Sequence, residues 1–415
     1  MFDITEGVER TRLANGLTVL TRERHDRPIV TSIIWYGVGS RNEEAGQTGK
    51  SHFLEHMLFK GTDRYGKGEI DLITLERGGA NNAFTDTDFT AYYFNFAADR
   101  WPVALEIEAS RMAHNQFAPE EFASEKEVVE EELRIGLDGP WDALDQAVWA
   151  AAFQQHPYHH PVIGWLEDLE RATREEMEAY YRRWYHPRNA TLVIAGDFDT
   201  RDALARVGEL FGPIPAGPAP RPVASREPGQ SGERRLILKR PTEMERLQVA
   251  YRAPEVGHPD SPPLQVLATL LGTGKTSRLY RRLEERDQSV THHSVDYQDR
   301  IDPTLFVIRA EVKPGCAVGE VERAVAEEID RLRQGPVADE ELRRAKQLIK
   351  ARFVLGHEQV ADQAIALGMY ETIHRYEHLA GLFARIDGVG ADEVRRAAVA
   401  YLVEDHCTVG QLTHA

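Results

Sequence analysis

The chain is 415 residues long, 42% hydrophobic, 28% charged and 8% aromatic, a composition that excludes a disordered chain, a collagen-like chain and a small disulfide scaffold. Fifty basic against 67 acidic residues leave a net charge of −17. Such a surface repels phosphate backbones and anionic lipid, so nucleic acid is not an expected partner, while cationic peptides are weakly favoured.

The longest apolar run, Ala147–Phe153, has seven residues, far short of the roughly 20 that a membrane span needs. The opening MFDITEGVERTRLANG has no basic stretch followed by an apolar one, and two cysteines, Cys316 and Cys407, make no disulfide framework. A cytoplasmic location is the expectation, with a periplasmic one as the alternative.

In chain order, Gly16–Thr21 and Ile29–Tyr36 read as strands because they are rich in β-branched residues. Helices are expected at Lys50–Phe59 and Ile70–Arg77, then one strand over Phe84–Phe96, rich in Thr, Tyr and Phe. Further helices follow at Pro102–Ala113 and Pro119–Arg134. The second opens Pro-Glu-Glu, which suits a first turn: Pro loses no bond there and the acids face the helix dipole. A helix at Arg174–Trp184 leads to a short buried strand, Ala190–Ala195, stopped by Gly196-Asp197. Short turns between strands, rather than regular helical crossovers, favour an α+β fold over a doubly wound parallel sheet.

The run from Gly212 to Arg234 is rich in Pro and Gly and poor in apolar residues, so it reads as a linker. The expected division is a domain at 1–212, a linker at 213–234 and a second domain at 235–415. Glu176, Met177, Trp184, Thr191 and Leu192 align in step with Glu393, Val394, Tyr401, Thr408 and Val409. Glu120, Glu121, Phe122, Lys126 and Val129 align likewise with Glu340, Glu341, Leu342, Lys346 and Ile349. Two separate matches at nearly equal spacing point to a duplicated domain.

The segment SHFLEHMLFKGT, Ser51–Thr62, carries the chemistry. On a helix, His52 and His56 at i and i+4 share a face, so both imidazoles can reach one metal ion, and Glu55 emerges near the same face. Zinc suits imidazole and carboxylate ligands, and a catalytic site leaves one position open. A third ligand is still needed. On the acidic helix, Glu125 and Glu132 are two turns apart and share a face, whereas Glu130 and Glu131 point elsewhere. Glu132 is the candidate ligand, with Glu125 behind it to orient a histidine. Without a metal, the histidines are a surface or core pair and the acids a solvated face.

His52-Phe-Leu-Glu55-His56 is the inverted zinc motif. With GVGSRNE (Gly37–Glu43), LFKGT, GGANNAFTDTDFTAYYF (Gly78–Phe94), HPYHHPVIG (His156–Gly164) and YYRRWYHPRNATLVIAGD (Tyr180–Asp197), the chain resembles the pitrilysin/insulinase superfamily of zinc peptidases, most closely its bacterial members of mitochondrial-processing-peptidase type. The resemblance is strong over most of the first half and loose over the second. It implies two similar α+β domains forming half of a clam shell, with one Zn2+ per chain held by His52, His56 and Glu132. It further implies Glu125 as the carboxylate behind a histidine and Glu55 as the catalytic base of an endopeptidase. The implied substrate is an unfolded peptide or presequence added as a strand along Asn82, Ala83, Phe84 and Thr85.

Many family members also carry an Arg and a Tyr in the second half that reach the active site. Those positions fall near Glu284 and Thr291 here, and no such pair occurs. This implies the zinc-bearing subunit of a heterodimer whose partner supplies the pair, with a homodimer as the competing arrangement. A non-catalytic scaffold of the same fold is the rival function. No second His-x-x-Glu-His follows Arg234, and Arg352 stands opposite Glu132. Gly272–Ser277, GTGKTS, lacks the first Gly of a phosphate loop, since Thr269 holds that position. His156, His159 and His160 lack helical spacing and read as a surface loop.

Overall fold

The computed structural model describes residues 2–415. Two sheets form. In the first, β1 (Val8–Arg12), β2 (Thr18–Glu23), β3 (Ile29–Tyr36), β4 (Ala80–Thr85), β5 (Thr90–Ala97) and β6 (Ala190–Gly196) take the order β1-β2-β6-β3-β5-β4. In the second, β7 (Arg234–Arg240), β8 (Arg246–Ala253), β9 (Val290–Tyr297), β10 (Thr304–Val312) and β11 (Cys407–His414) take the order β7-β11-β8-β10-β9.

The sheets repeat one plan: the run β2-β6-β3-β5-β4 corresponds to β7-β11-β8-β10-β9. Each has a single parallel pair in the same place, β2 with β6 and β7 with β11, and is otherwise antiparallel. This is the α+β, duplicated architecture that the internal alignments predict. The stretch Phe84–Phe96, expected as one strand, is instead a hairpin. Asp86 N–H bonds the Phe89 carbonyl, and the Asp86 carboxylate accepts from Thr87 N–H at 2.6 Å, closing a turn in the middle of the β-rich run.

The chain folds into two compact units that differ from the linear division at 213–234. The first contains the chain up to Arg134, His160–Ala224 and Gly356–Ala380; the second contains Ile135–His159, Ser225–Leu355 and Gly381–Ala415. Each sheet thus takes a helix from the other half of the sequence. In the first unit, helix Val360–Ile373 packs on β3 and β6. Gly368 faces Trp35 there so closely that a Cβ would lie 2.0 Å from the indole Nε1. In the second unit, helix Pro140–Ala152 packs on β7, β8 and β11, and a Cβ on Gly410 would lie 2.3 Å from Val148. Periodicity identifies an apolar helix face but not the sheet that receives it, which is why the linear boundary fails.

Residues 215–231 carry no helix or strand, as a Pro/Gly-rich linker requires. Part of this stretch is nevertheless fixed: the Glu227 carboxylate accepts the backbone N–H groups of Gln154, Gln155 and His156 at 2.8–3.0 Å.

One face of the second sheet packs with Leu267, Phe306, Ile329 and Val394, and the other packs Leu144 and Val148 against Ala250, Leu305 and Leu412. In the first unit, Trp35 and Phe84 lie on the face receiving Val360–Ile373. The next residues along, Tyr36 and Thr85, fall in register with Thr90 on the other face. The strand period of two sets this alternation, and helix Lys50–Met57 packs beside Thr85 on β4 and β5.

Candidate metal centre

Helix Lys50–Met57 buries Phe53, Leu54 and Met57 and leaves His52, Glu55 and His56 half-buried on its other side. Burying those three apolar residues stabilises the helix by about 1.5–3 kcal/mol each. Phe53 stacks on Phe122 with ring centroids 5.0 Å apart. This brings the acidic helix, Pro119–Asp138, alongside. That helix buries the stripe Phe122, Glu125, Val129 and Leu133, which carries Glu125 inward and leaves Glu132 at its rim.

The result is the convergence that the spacing predicts. His52 Nε2 lies 3.7 Å from Glu132 Oε1, and His56 Nε2 lies 3.5 Å from Glu132 Oε2. The three side chains offer ligand atoms all within 4.8 Å of one another, and among the described residues no other His, Cys, Asp and Glu group does so. Ligands about 2.0–2.1 Å from a tetrahedral ion stand roughly 3.3 Å apart, so the donor set fits a zinc ion with little adjustment. His56 Nδ1 lies 2.8 Å from Glu125 Oε1, and the other Glu125 oxygen pairs with the Lys60 ammonium. This leaves His56 Nε2 to face Glu132 and fixes the ring plane. His52 Nδ1 is buried without a hydrogen-bond partner.

The electrostatics suit a cation. Burial pushes His52 down to about 4, and the neighbouring His56 charge adds to it, so the ring is neutral with a free lone pair at pH 7. Burial also lowers His56, but the Glu125 hydrogen bond and the charges of Glu125, Glu132 and Glu55 outweigh it and raise the ring overall. Burial raises Glu55 above the usual carboxylate range, against the downward pull of the Thr85 hydrogen bond and the His56 charge. Burial likewise opposes ionisation of Glu125, yet its bonds to His56 and Lys60 win and hold it low.

Asn82, Ala83, Phe84 and Thr85 all fall on β4, the terminal strand of the sheet, which pairs only with β5. Thr85 Oγ1 donates to Glu55 Oε2 at 2.5 Å. In the second unit, Glu284 is held by His293 at 2.7 Å and Thr291 Oγ1 donates to Glu311 Oε2 at 3.0 Å.

Sequence reasoning missed the groups that anchor the motif helix. Glu43 is buried, and its two oxygens accept the N–H groups of Gly49 and Ser51, each at 2.7 Å. These are free donors at the helix start. Asp168 accepts from the Thr48 N–H at 3.1 Å and from its hydroxyl at 2.7 Å. Both acids stand outside any periodic pattern, so nothing local marks them.

The histidine run is also not the surface loop expected. His156 is buried and pairs with Asp302 at 3.0 Å in the second unit. His160 is buried in the first, 3.8 Å from Glu43. Aromatic neighbours account for part of this burial, since the His156 ring lies 4.4 Å from that of Tyr158. The GTGKTS stretch ends helix Ser261–Gly272 and continues as a turn.

Comparison with known proteins gives a consistent set of relatives. The family described as Insulinase (Peptidase family M16) matches residues 18–164. The domain described as Peptidase M16 inactive domain matches residues 171–349. The uncharacterized zinc protease Rv2782c of Mycobacterium tuberculosis is 31% identical over 395 residues, 94% of this chain and 89% of that protein. The probable mitochondrial-processing peptidase subunit beta of Arabidopsis thaliana is 28% identical over 418 residues, 97% of this chain and 77% of that protein. The crystal structure of a protease from Helicobacter pylori superposes with a TM-score of 0.94 at 26% identity, covering 98% of this chain and 99% of that one.

Proposed function

Because this chain belongs to the insulinase (M16) family of peptidases, several of whose members are named zinc proteases, we propose that it is itself a zinc-dependent endopeptidase acting on unfolded peptides. The observation that carries the reading is the approach of His52, His56 and Glu132 ligand atoms to within 4.8 Å, with Glu55 on the same helix. Zinc held by these three residues would supply a Lewis acid for the scissile carbonyl and lower the pKa of the attacking water. Glu55 takes that water's proton and returns it to the leaving amine, a task favoured by its raised pKa. Glu125, through His56, keeps the ligand ring oriented.

The substrate backbone adds to the open edge of β4, along Asn82–Thr85. Main-chain hydrogen bonds there give affinity with little demand on sequence. With Glu284 and Thr291 occupying the positions of an Arg and a Tyr, we assign the chain as the zinc-bearing subunit of a heterodimer whose partner supplies that pair. No described helix is long and apolar enough to cross a membrane. Cys316 and Cys407 are free thiols, which supports a cytoplasmic location.

The expected results are near-stoichiometric zinc on the purified chain and cleavage of a quenched fluorescent peptide that a chelator abolishes. Glu55→Gln retains the zinc and loses turnover by at least about 10²-fold. Turnover by that variant at the wild-type rate would remove Glu55 from the mechanism, and absence of bound zinc would favour the scaffold role. Full activity from the purified chain alone would sink the heterodimer assignment.

A further inference from the structure

Thr85 ends β4 in register with Thr90 of β5, and their hydroxyl oxygens lie 3.4 Å apart. The Thr90 hydroxyl donates to the buried Val38 carbonyl at 2.9 Å. Thr85 Oγ1 has a single hydrogen, and the 3.4 Å contact with Thr90 Oγ1 is too long to compete for it. The Thr85 hydrogen is directed to Glu55 Oε2, across the short 2.5 Å contact of a hydroxyl with a carboxylate. The open strand edge and the acid of the metal motif are therefore joined through one side chain.

We propose that Thr85 is a positioning residue: its hydroxyl occupies Glu55 Oε2, fixes the carboxylate plane and leaves Oε1 as the oxygen that handles the proton. This rests on the peptidase reading given above. An O–H bond of the attacking water breaks and its proton forms a bond to Oε1. The water's oxygen pair bonds the carbonyl carbon. As the C–N bond breaks, the proton on Oε1 passes to the leaving nitrogen, and Glu55 returns to a carboxylate still held by Thr85. A substrate strand added to β4 ends beside the residue that aims the base, so strand addition and base orientation share one rigid support.

The test compares Thr85→Val with Thr85→Ser in the form of the enzyme that gives full wild-type turnover, alone or with its partner chain. Valine keeps the β-branched shape that suits the strand and removes only the hydrogen bond; serine keeps the hydroxyl. Thr85→Val is expected to hold wild-type zinc content, to change KM by less than about threefold and to lower kcat by about tenfold, a fraction of the about 10²–10⁴-fold that a placed proton carrier contributes. Thr85→Ser restores kcat to within about threefold of wild type. Unchanged kcat in Thr85→Val at equal zinc content, or a serine variant as slow as the valine one, overturns the proposal.

A second readout does not need turnover. Unfolding midpoints of metal-free Thr85→Val, Glu55→Ala and the double variant form a cycle, since alanine leaves no acceptor for the Thr85 hydroxyl. Non-additive shifts support the Thr85–Glu55 link, and additive shifts overturn it. A zinc-loaded wild-type protein that cleaves no peptide either alone or with a partner chain supplying the Arg and Tyr, while the cycle stays non-additive, would instead refute the peptidase reading.

Discussion

Glu108 has no solvent contact and one charged neighbour, Arg111, whose Nη1 lies 3.0 Å away. The guanidinium itself lies against the rings of Phe59, Tyr92 and Phe94. Burial pushes the Glu108 carboxyl from 4.5 up to about 7, and Arg111 offsets this only in part. Its folded pKa is thus above its unfolded one, so the native state keeps a proton that the unfolded chain releases. The stabilising contribution is full below about pH 4.5 and is lost as pH rises through about 7. The unfolding midpoint, followed from pH 4 to 8, should fall less steeply with pH in Glu108→Gln than in the wild type; equal slopes would show that folding leaves the Glu108 pKa unshifted. At this scale the sequence was informative only where spacing forces proximity. His52, Glu55 and His56 were legible because i, i+3 and i+4 share a helix face, and Glu132 because it stands two turns from Glu125 at the rim of the buried stripe, where the family resemblance implies a ligand. Glu43, Asp168 and Glu108 were not, since their partners are set by tertiary packing.

Elements rich in β-branched residues, such as Ile29–Tyr36 and Ala190–Gly196, were legible as strands because propensity and burial agree there. The hairpin at β4 and β5 was misread because Thr85 and Thr87 extend the β-rich composition through the turn that Asp86 makes. The helix pairing was hidden for another reason: helix Val360–Ile373 shows nothing in its own pattern that names β3 as its neighbour. Its one sign is a glycine where the chain must approach an indole. Gly368→Ala sets two effects against each other. Alanine gains about 1 kcal/mol of helix propensity, but its Cβ falls 2.0 Å from Trp35 Nε1, and Trp35 is fully buried and unable to yield. Overpacking of this kind costs about 1–3 kcal/mol, so the clash wins. Chemical denaturation should give a lower midpoint for Gly368→Ala than for the wild type, and a higher one would mean that the indole moves freely.

For the molecule as a whole, the two halves of the sequence are not two folding units. Each compact unit needs a helix coded in the other half. Fragments 1–212 and 235–415, made separately, are each expected to lack cooperative unfolding, because one face of each sheet is stripped of its helix. Mixed and refolded together, they should recover native far-UV ellipticity and zinc binding. A stable, cooperative 1–212 fragment would show that helix Val360–Ile373 is dispensable.

That crossed arrangement also bears on biosynthesis. Trp35 and β3 leave the ribosome hundreds of residues before Val360–Ile373, so the layer that covers them does not exist until translation is nearly complete. The nascent N-terminal portion must wait with apolar surface uncovered, which makes it a natural client for holding chaperones. A product cut short by a premature stop codon before Val360 would carry His52, His56 and Glu132 yet lack the packing that steadies the sheet beneath them, so a rigid donor set is withheld until synthesis is almost finished.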